Sequence, residues 1–389
     1  MRMRKATSAL VGLLLAGVAA TPAHAETVRA RQWHLDAMKA DDIWKISTGK
    51  GVTVAVIDSG VADIPELEGR MVPGRDFAPD NVAGDERTDY DGHGTSMAAI
   101  IAGNGKGPGG AESAFGLAPA AEIMSLRLDS NAVGKAMESG LVDAIRYAAD
   151  SGARVVNISL VGWSDSESLR NAVKYALNKG ALIFAGVGND GSEWVNYPAA
   201  TPGVVGVGAV DAQGQPTSES QHNASVDLSA PGADILSGCS GKTGLCNSHG
   251  TSDATALVSA SAALLWSVHP DWTNNQILRV LLNTAGKPKD GVQRNDYVGY
   301  GVVRPRIAVP TPGDPGPADV YPLPDLAAAA SPAPAPAAPG GKADPAPKPE
   351  AKKGNSDTGS ALPWIALGLG ACLIIGGAVT AVVIQRSRR

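Results

Sequence analysis

The chain has 389 residues, a formal net charge of -5 and three cysteines. Its composition is that of an ordinary globular protein, and about 26–309 is left for folding, enough for one large domain or two small ones. The slight acidic balance carries no electrostatic footprint of nucleic-acid binding, so no nucleic-acid partner is expected.

In chain order, Arg2, Arg4 and Lys5 precede the apolar run "ALVGLLLAGVAA", and "AHA" follows with small residues. That pattern predicts a secretory signal over 1–25, with an uncleaved anchor as the alternative. Residues 26–50 form an N-terminal extension. "GVTVAVIDSG" (51–60) is a near-continuous apolar run ending in a turn, as expected of a strand buried on both faces. A helical pattern follows at 93–104, a strand at 121–128, an amphipathic helix at 140–153 and a strand at 154–161. The helix at 166–180 ends on Gly180. Strands at 181–188 and 204–210 come next, then a long helix from the Ser252 segment and a last helix at 274–285. Strands alternating with helices imply α/β architecture with a parallel sheet, whose functional groups gather at the strands' carboxyl ends.

Beyond the body (51–309), residues 310–360 are too rich in Pro, Ala and Gly for a packed core and read as a spacer. Fully extended at about 3.1 Å per residue, it reaches at most roughly 150 Å. The stretch 361–385 contains the uncharged "LPWIALGLGACLIIGGAVTAVVI", long enough to cross a bilayer. The basic tail 386–389 should stay in the cytoplasm. These features predict a single-pass type I membrane protein with its body outside the membrane. Cys239 and Cys246 lie close together in the exported part, where a disulfide can persist, whereas a metal pair lacks supporting ligands.

Asp58 ends the first strand, His93 opens a helix in "DGHGTSMAA", and Ser252 opens another in "HGTSDATA". Each has a plain explanation alone: a turn former, a loop histidine, a helix cap. Together, at element ends of one exported α/β domain, they suggest nucleophilic catalysis. "VAVIDSGV", "DGHGTSMAAIIAG" and "GTSDATALVSASAALL" resemble the Asp, His and Ser blocks of the subtilisin family, in that family's order. The resemblance implies a three-layer fold with a mainly parallel sheet between helices, and serine endopeptidase activity through an acyl-enzyme. By it Asp58, His93 and Ser252 would be the triad, with Asn189 of "GVGNDG" and the Ser252 N–H lining the oxyanion hole. It also implies that Ser159, Leu160 and Val161 of "NISLVG" bind an extended peptide, and that Gly186, Val187 and Gly188 line the pocket for the residue before the cut. No cofactor or metal is implied, and the partners would be polypeptide substrates.

Two positions depart from the family pattern: Asp253 replaces an apolar residue and Ala256 a proline. The extension of about 25 residues is too short for a foldable chaperone domain. With the Pro-rich spacer, the span and "QWHLDAMKADDIW", the layout resembles the mycosins, membrane-anchored subtilases of actinobacterial type VII secretion systems. That implies work on secreted proteins and a partnership with the secretion membrane complex. The rival reading is a subtilase-shaped scaffold with little proteolysis, and a third is a general surface protease. The acidic run holding Asp76, Asp80, Asp85, Glu86, Asp89 and Asp91 lacks an EF-hand spacing and is expected to be a solvated loop rather than a calcium site.

Overall fold

The computed structural model describes residues 26–129, 135–162, 164–240 and 244–326, and of 135–137 only the backbone. The expected signal segment, the later spacer, the span at 361–385 and the tail lie outside those residues. Among the described residues no helix is long and apolar enough to cross a membrane.

The extension supplies α1 (Trp33–Met38) and α2 (Ala40–Ile43). The body follows as β1 (Thr53–Asp58), β2 (Met71–Asp76), α3 (His93–Ala102), β3 (Asn104–Lys106), β4 (Glu112–Phe115) and β5 (Glu122–Arg127). Then come α4 (Lys135–Asp150), β6 (Val155–Ile158), α5 (Glu167–Asn178), β7 (Leu182–Gly186), β8 (Val204–Val210) and β9 (Leu228–Pro231). The chain continues with β10 (Ile235–Gly238), β11 (Leu245–Ser248), α6 (Thr251–Val268), α7 (Asn274–Thr284) and α8 (Pro305–Ala308).

Seven strands form one sheet in the order β2-β5-β1-β6-β7-β8-β9, with every neighbouring pair parallel. Successive side chains of a strand face opposite ways. Val54 and Val56 accordingly join one apolar cluster with α3, α6 and α7, while Ala55 and Ile57 join another with α4 and α5. Apolar burial on both faces explains the unbroken hydrophobic runs in the sequence. Helix α6 is buried almost throughout, and its hydroxyls find partners in the helix and on the sheet: Thr255 Oγ1 donates to Thr251 O at 2.7 Å and Ser259 Oγ to Asn157 Oδ1 of β6 at 3.0 Å. β1 sits between β5 and β6, so the winding direction reverses beside it. The crevice at such a reversal is where open α/β sheets place their ligands.

The extension is part of the body rather than an appendage. Gln32 Nε2 donates to Phe115 O at 2.8 Å and Leu236 O at 3.0 Å, and Leu35, Met38 and Ile43 are buried in the core. The start of the expected spacer is also packed, which moves the body's edge from 309 to at least 326. A Pro-rich stretch offers few N–H donors, yet its carbonyls still accept. Arg279 of α7 donates to Pro315 O and Pro317 O, Gln276 to Gly316 O, and Thr273 to Ala318 O, while Leu323 is buried.

Cys239 and Cys246 are bonded, with Cα atoms 5.9 Å apart, across the antiparallel β10–β11 pair that leads directly into Ser252. Closing so short a loop restricts the unfolded chain by about 2.5 kcal/mol. Replacing both cysteines with serine is expected to lower the unfolding free energy by about that amount in urea titrations.

Candidate active site

The carboxyl end of β1 delivers Asp58 into the interior, where it is fully buried. Its Oδ1 accepts from Ser59 N at 2.8 Å and Ser59 Oγ at 3.3 Å, and lies 2.7 Å from His93 Nδ1. A carboxylate has no proton to give, so Nδ1 carries the hydrogen and Nε2 is left as the basic nitrogen. His93 is the first residue of α3, entered through Gly92 at φ 86°. The next residue must also be glycine, because a Cβ on Gly94 would come 2.1 Å from Gly60 O. Close passage of α3 over the β1 loop is what brings ring and carboxyl together.

Asp89 secures this junction rather than lying in a solvated loop. Its Oδ2 accepts from Thr95 N at 2.9 Å, the third residue of α3, while its Oδ1 accepts from Gly92 N at 2.8 Å and Ser59 Oγ at 2.9 Å. One side chain therefore caps the helix carrying His93 and fixes the hydroxyl that braces Asp58. Asp76 is likewise paired, with Arg127 at 2.8 Å, whereas Asp80, Asp85 and Asp91 are exposed as expected. Among the described residues no group of three acidic, histidine or cysteine residues is arranged to hold a metal.

Ser252 is not the cap of α6. Gly250 holds that position at φ 128°, a conformation that favours glycine, and Ser252 is the second helical residue. The first free helix N–H, from Thr251, donates to Asn189 Oδ1 at 2.8 Å, and Thr251 Oγ1 donates to the same oxygen at 3.0 Å. These bonds fix the orientation of the Asn189 amide and leave its exposed Nδ2 without a partner among the described residues. Ser252 Oγ donates to Ser159 O at 3.1 Å, and Ser159 Oγ donates back to Ser252 O at 3.2 Å. No hydrogen bond joins Ser252 to His93 among the described residues. Rotation about one Cα–Cβ bond separates this hydroxyl from its present acceptor.

The electrostatics follow from burial and charge. The Asp58 carboxylate raises His93 to about 9, against the opposing effect of desolvation. Burial pushes Asp253 up to about 6, countered by its hydrogen bond from Ser248. His249 lies outside this group, paired with Glu219 at 2.8 Å.

A sequence profile described as the Subtilase family matches residues 49–301. Subtilisin BL of Lederbergia lenta is 37% identical over 239 residues, covering 61% of this chain and 84% of that protein. The crystal structure of MycP1 from Mycobacterium smegmatis superposes with a TM-score of 0.66 at 30% identity, covering 77% of this chain and 89% of that one. A chain in the structure of the periplasmic assembly from the ESX-5 inner membrane complex gives a TM-score of 0.66 at 29% identity, over 82% and 92% of the two chains. The chain belongs to the subtilase family. It is a serine endopeptidase of the mycosin subgroup.

The residues expected to bind substrate are placed unequally in this subtilase. Ser159, Leu160 and Val161 follow β6, with Ser159 buried under Ser252 and Val161 exposed. No backbone–backbone hydrogen bond uses Leu160 or Val161 among the described residues, so their peptide groups are open to an added strand. Gly186 ends β7, and a Cβ there would meet Thr251 Oγ1 at 2.9 Å. Gly188, at φ 113°, donates its N–H to Thr251 Oγ1 at 3.2 Å. Val187 points the other way: it is fully buried in the cluster with α4 and α5. Its side chain cannot line a pocket, a consequence of strand alternation between two glycines that do face Thr251.

Proposed function

We propose that this subtilase cuts extended polypeptide outside the cytoplasmic membrane, anchored there by the span at 361–385. Ser252 is the nucleophile, His93 the general base and then the general acid, and Asp58 the group that orients and charges the imidazole. The observation that carries the reading is the 2.7 Å contact between buried Asp58 and His93 Nδ1, which leaves Nε2 as the basic nitrogen. Ser252 Oγ forms its bond to the scissile carbonyl carbon as its proton passes to Nε2. The carbonyl electron pair moves onto oxygen, where Asn189 Nδ2 and the Ser252 N–H can donate. Collapse of this intermediate expels the amine, which takes the proton from His93, and water then releases the acyl group by the same route.

A fluorophosphonate probe tests the assignment, because it reacts only with an activated serine. Labelling should map to the peptide containing Ser252; absence of labelling would remove the nucleophile. Asn189→Ala is expected to lower kcat by about 10²–10³, the loss seen when subtilisin loses its side-chain oxyanion donor, with little change in KM. Steady-state kinetics on a peptide substrate decides it.

A second role is favoured by the likeness to a chain of the ESX-5 periplasmic assembly: the body is also a subunit of a type VII secretion complex. Secretion and substrate cleavage, compared in cells carrying wild type and Ser252→Ala, separate the two roles. Normal secretion with cleavage abolished means both exist. Full secretion with unaltered substrates takes proteolysis out of the secretion mechanism.

A further inference from the structure

Asn189 sits in the loop after β7, and that loop is held by the one after β8. Gly188 O accepts from Gln221 N at 3.0 Å, Gly191 N donates to Glu219 O at 2.7 Å, and Ser192 O accepts from His222 N at 3.0 Å. The two segments run so close that a Cβ on Gly191, at φ 63°, would come 2.4 Å from Ser218 O. The turn before α6 forms a third wall. Gly250 lies directly against the Asn189 amide, where a Cβ would stand 2.9 Å from Nδ2.

Glu219 touches both of its neighbours. Its main-chain oxygen holds Gly191, and its carboxylate reaches the turn, with Oε2 2.8 Å and Oε1 2.9 Å from His249 Nδ1. No other hydrogen bond among the described residues joins 217–222 to 248–250. The links close a circuit: Asn189 Oδ1 to Thr251 N, back along the chain to His249, across to Glu219, and through its carbonyl to Gly191 beside Asn189. One hydrogen bond between two segments is a hinge, whereas a second bond off its axis fixes their angle. For folding the pair counts for little, because the His249 side chain is 71% exposed and that of Glu219 27%. Its place matters more than its strength, since the segments it joins carry the two oxyanion donors.

We propose that Glu219 is a positioning residue for hydrolysis: through His249 it holds the turn before Ser252 against the Asn189 loop, and so fixes the spacing of Asn189 Nδ2 and the Ser252 N–H around the substrate oxygen. The role rests on the reading of those two groups as the oxyanion donors. Such donors work by being aimed in advance at the place where charge develops. Loosening the tie therefore weakens transition-state binding and leaves ground-state binding alone.

The experiment compares kcat and KM on one peptide substrate for wild type, Glu219→Ala, Glu219→Gln, His249→Ala and the double alanine variant, with Asn189→Ala alongside. Inhibition constants are measured for a peptide aldehyde, whose adduct with Ser252 places an oxyanion in the site, and for the corresponding peptide alcohol, which forms no adduct. Glu219→Ala should lower kcat by roughly 3- to 10-fold with KM within about twofold, short of the Asn189→Ala loss because the direct bond to Thr251 N remains. Aldehyde affinity should fall by the same factor, and alcohol affinity should hold. Glu219→Gln should recover most of the loss, since its amide oxygen still accepts from Nδ1. His249→Ala should lose as much as Glu219→Ala and the double variant no more than either, as expected of two residues acting through one link. His249→Ala, which removes an exposed ring, decides the matter if Glu219→Ala does not fold. Unchanged kcat in folded Glu219→Ala would overturn the proposal. So would a raised KM at unchanged kcat, or a glutamine variant as slow as the alanine one, which would make the charge rather than the bond the working part. Asn189→Ala with normal kcat sinks the reading of the donors themselves, whereas a slow Asn189→Ala beside a normal Glu219→Ala sinks only the role of Glu219.

Discussion

Ser252→Ala is expected to fold like the wild type and to lose about 10⁶-fold in kcat. The size follows from subtilisin, where loss of the nucleophile costs about 2 × 10⁶ and what remains comes from binding and the oxyanion donors. The retained fold follows from this chain. A serine capping α6 would cost about 0.5–2 kcal/mol on replacement by alanine. Here Gly250 is the cap, Asn189 takes the first free N–H, and the Ser252 hydroxyl makes one hydrogen bond, to Ser159 O. One ordinary hydrogen bond is worth about 1 kcal/mol, and alanine suits a helix better than serine. The midpoint of thermal unfolding should therefore shift by no more than a few degrees while activity vanishes. A large loss of stability with activity partly retained would return Ser252 to a structural role.

The placement of Asp58, His93 and Ser252 at the ends of elements was legible in the sequence because each has a strong local signal. Asp58 ends an apolar run, His93 follows the glycine that opens α3, and Ser252 lies two residues after the glycine that opens α6. The central strands were legible for the same reason, since burial on both faces leaves a continuous apolar stretch. β2 and β9 were not. β2 (MVPGRD) is a half-exposed edge strand containing proline and glycine, and β9 (LSAP) is four residues long. Neither has a periodicity to read. Asp89 was missed because its partners are six residues ahead and thirty behind, in Thr95 and Ser59, so no local pattern sets it apart from its acidic neighbours. The packing of 311–326 was hidden by composition. A Pro-rich stretch builds no core of its own, but it can be held through its carbonyls by Arg279, Gln276 and Thr273 of a helix that folds without it. The direction of the Val187 side chain was not legible either: just past the end of β7, between Gly186 and Gly188, it enters the opposite cluster.

Asp58→Ala should lower kcat by about 10⁴-fold, near the cost of the corresponding loss in subtilisin. Asp58→Asn is the more informative change, because Ser59 fixes which end of the amide faces the ring. Ser59 N–H donates to Oδ1, the oxygen that also meets His93 Nδ1. An asparagine placed with its NH₂ there would set two donors against each other, so its oxygen takes that position and the His93 tautomer is preserved. The loss in Asp58→Asn then reports the missing charge rather than a reversed ring, and it should be smaller than in Asp58→Ala. The same charge raises His93 to about 9. In wild type kcat/KM should therefore rise through an apparent pKa between about 6.5 and 9. In Asp58→Asn, with desolvation opposed only by the lesser effects of Asp253 and Asp91, the limb should move down toward the ordinary imidazole value of about 6.5. Stability should follow the same linkage. A histidine whose folded pKa lies above its unfolded value stabilises fully below about pH 6.5, and that contribution is lost as the pH rises through about 9. Wild type should exceed Asp58→Asn in thermal stability most clearly near pH 6, with the gap narrowing by pH 10. A gap of constant size across that range, or a rising limb unchanged by the substitution, would mean that Asp58 supports the ring by packing alone and that its charge plays no part in moving the Ser252 proton.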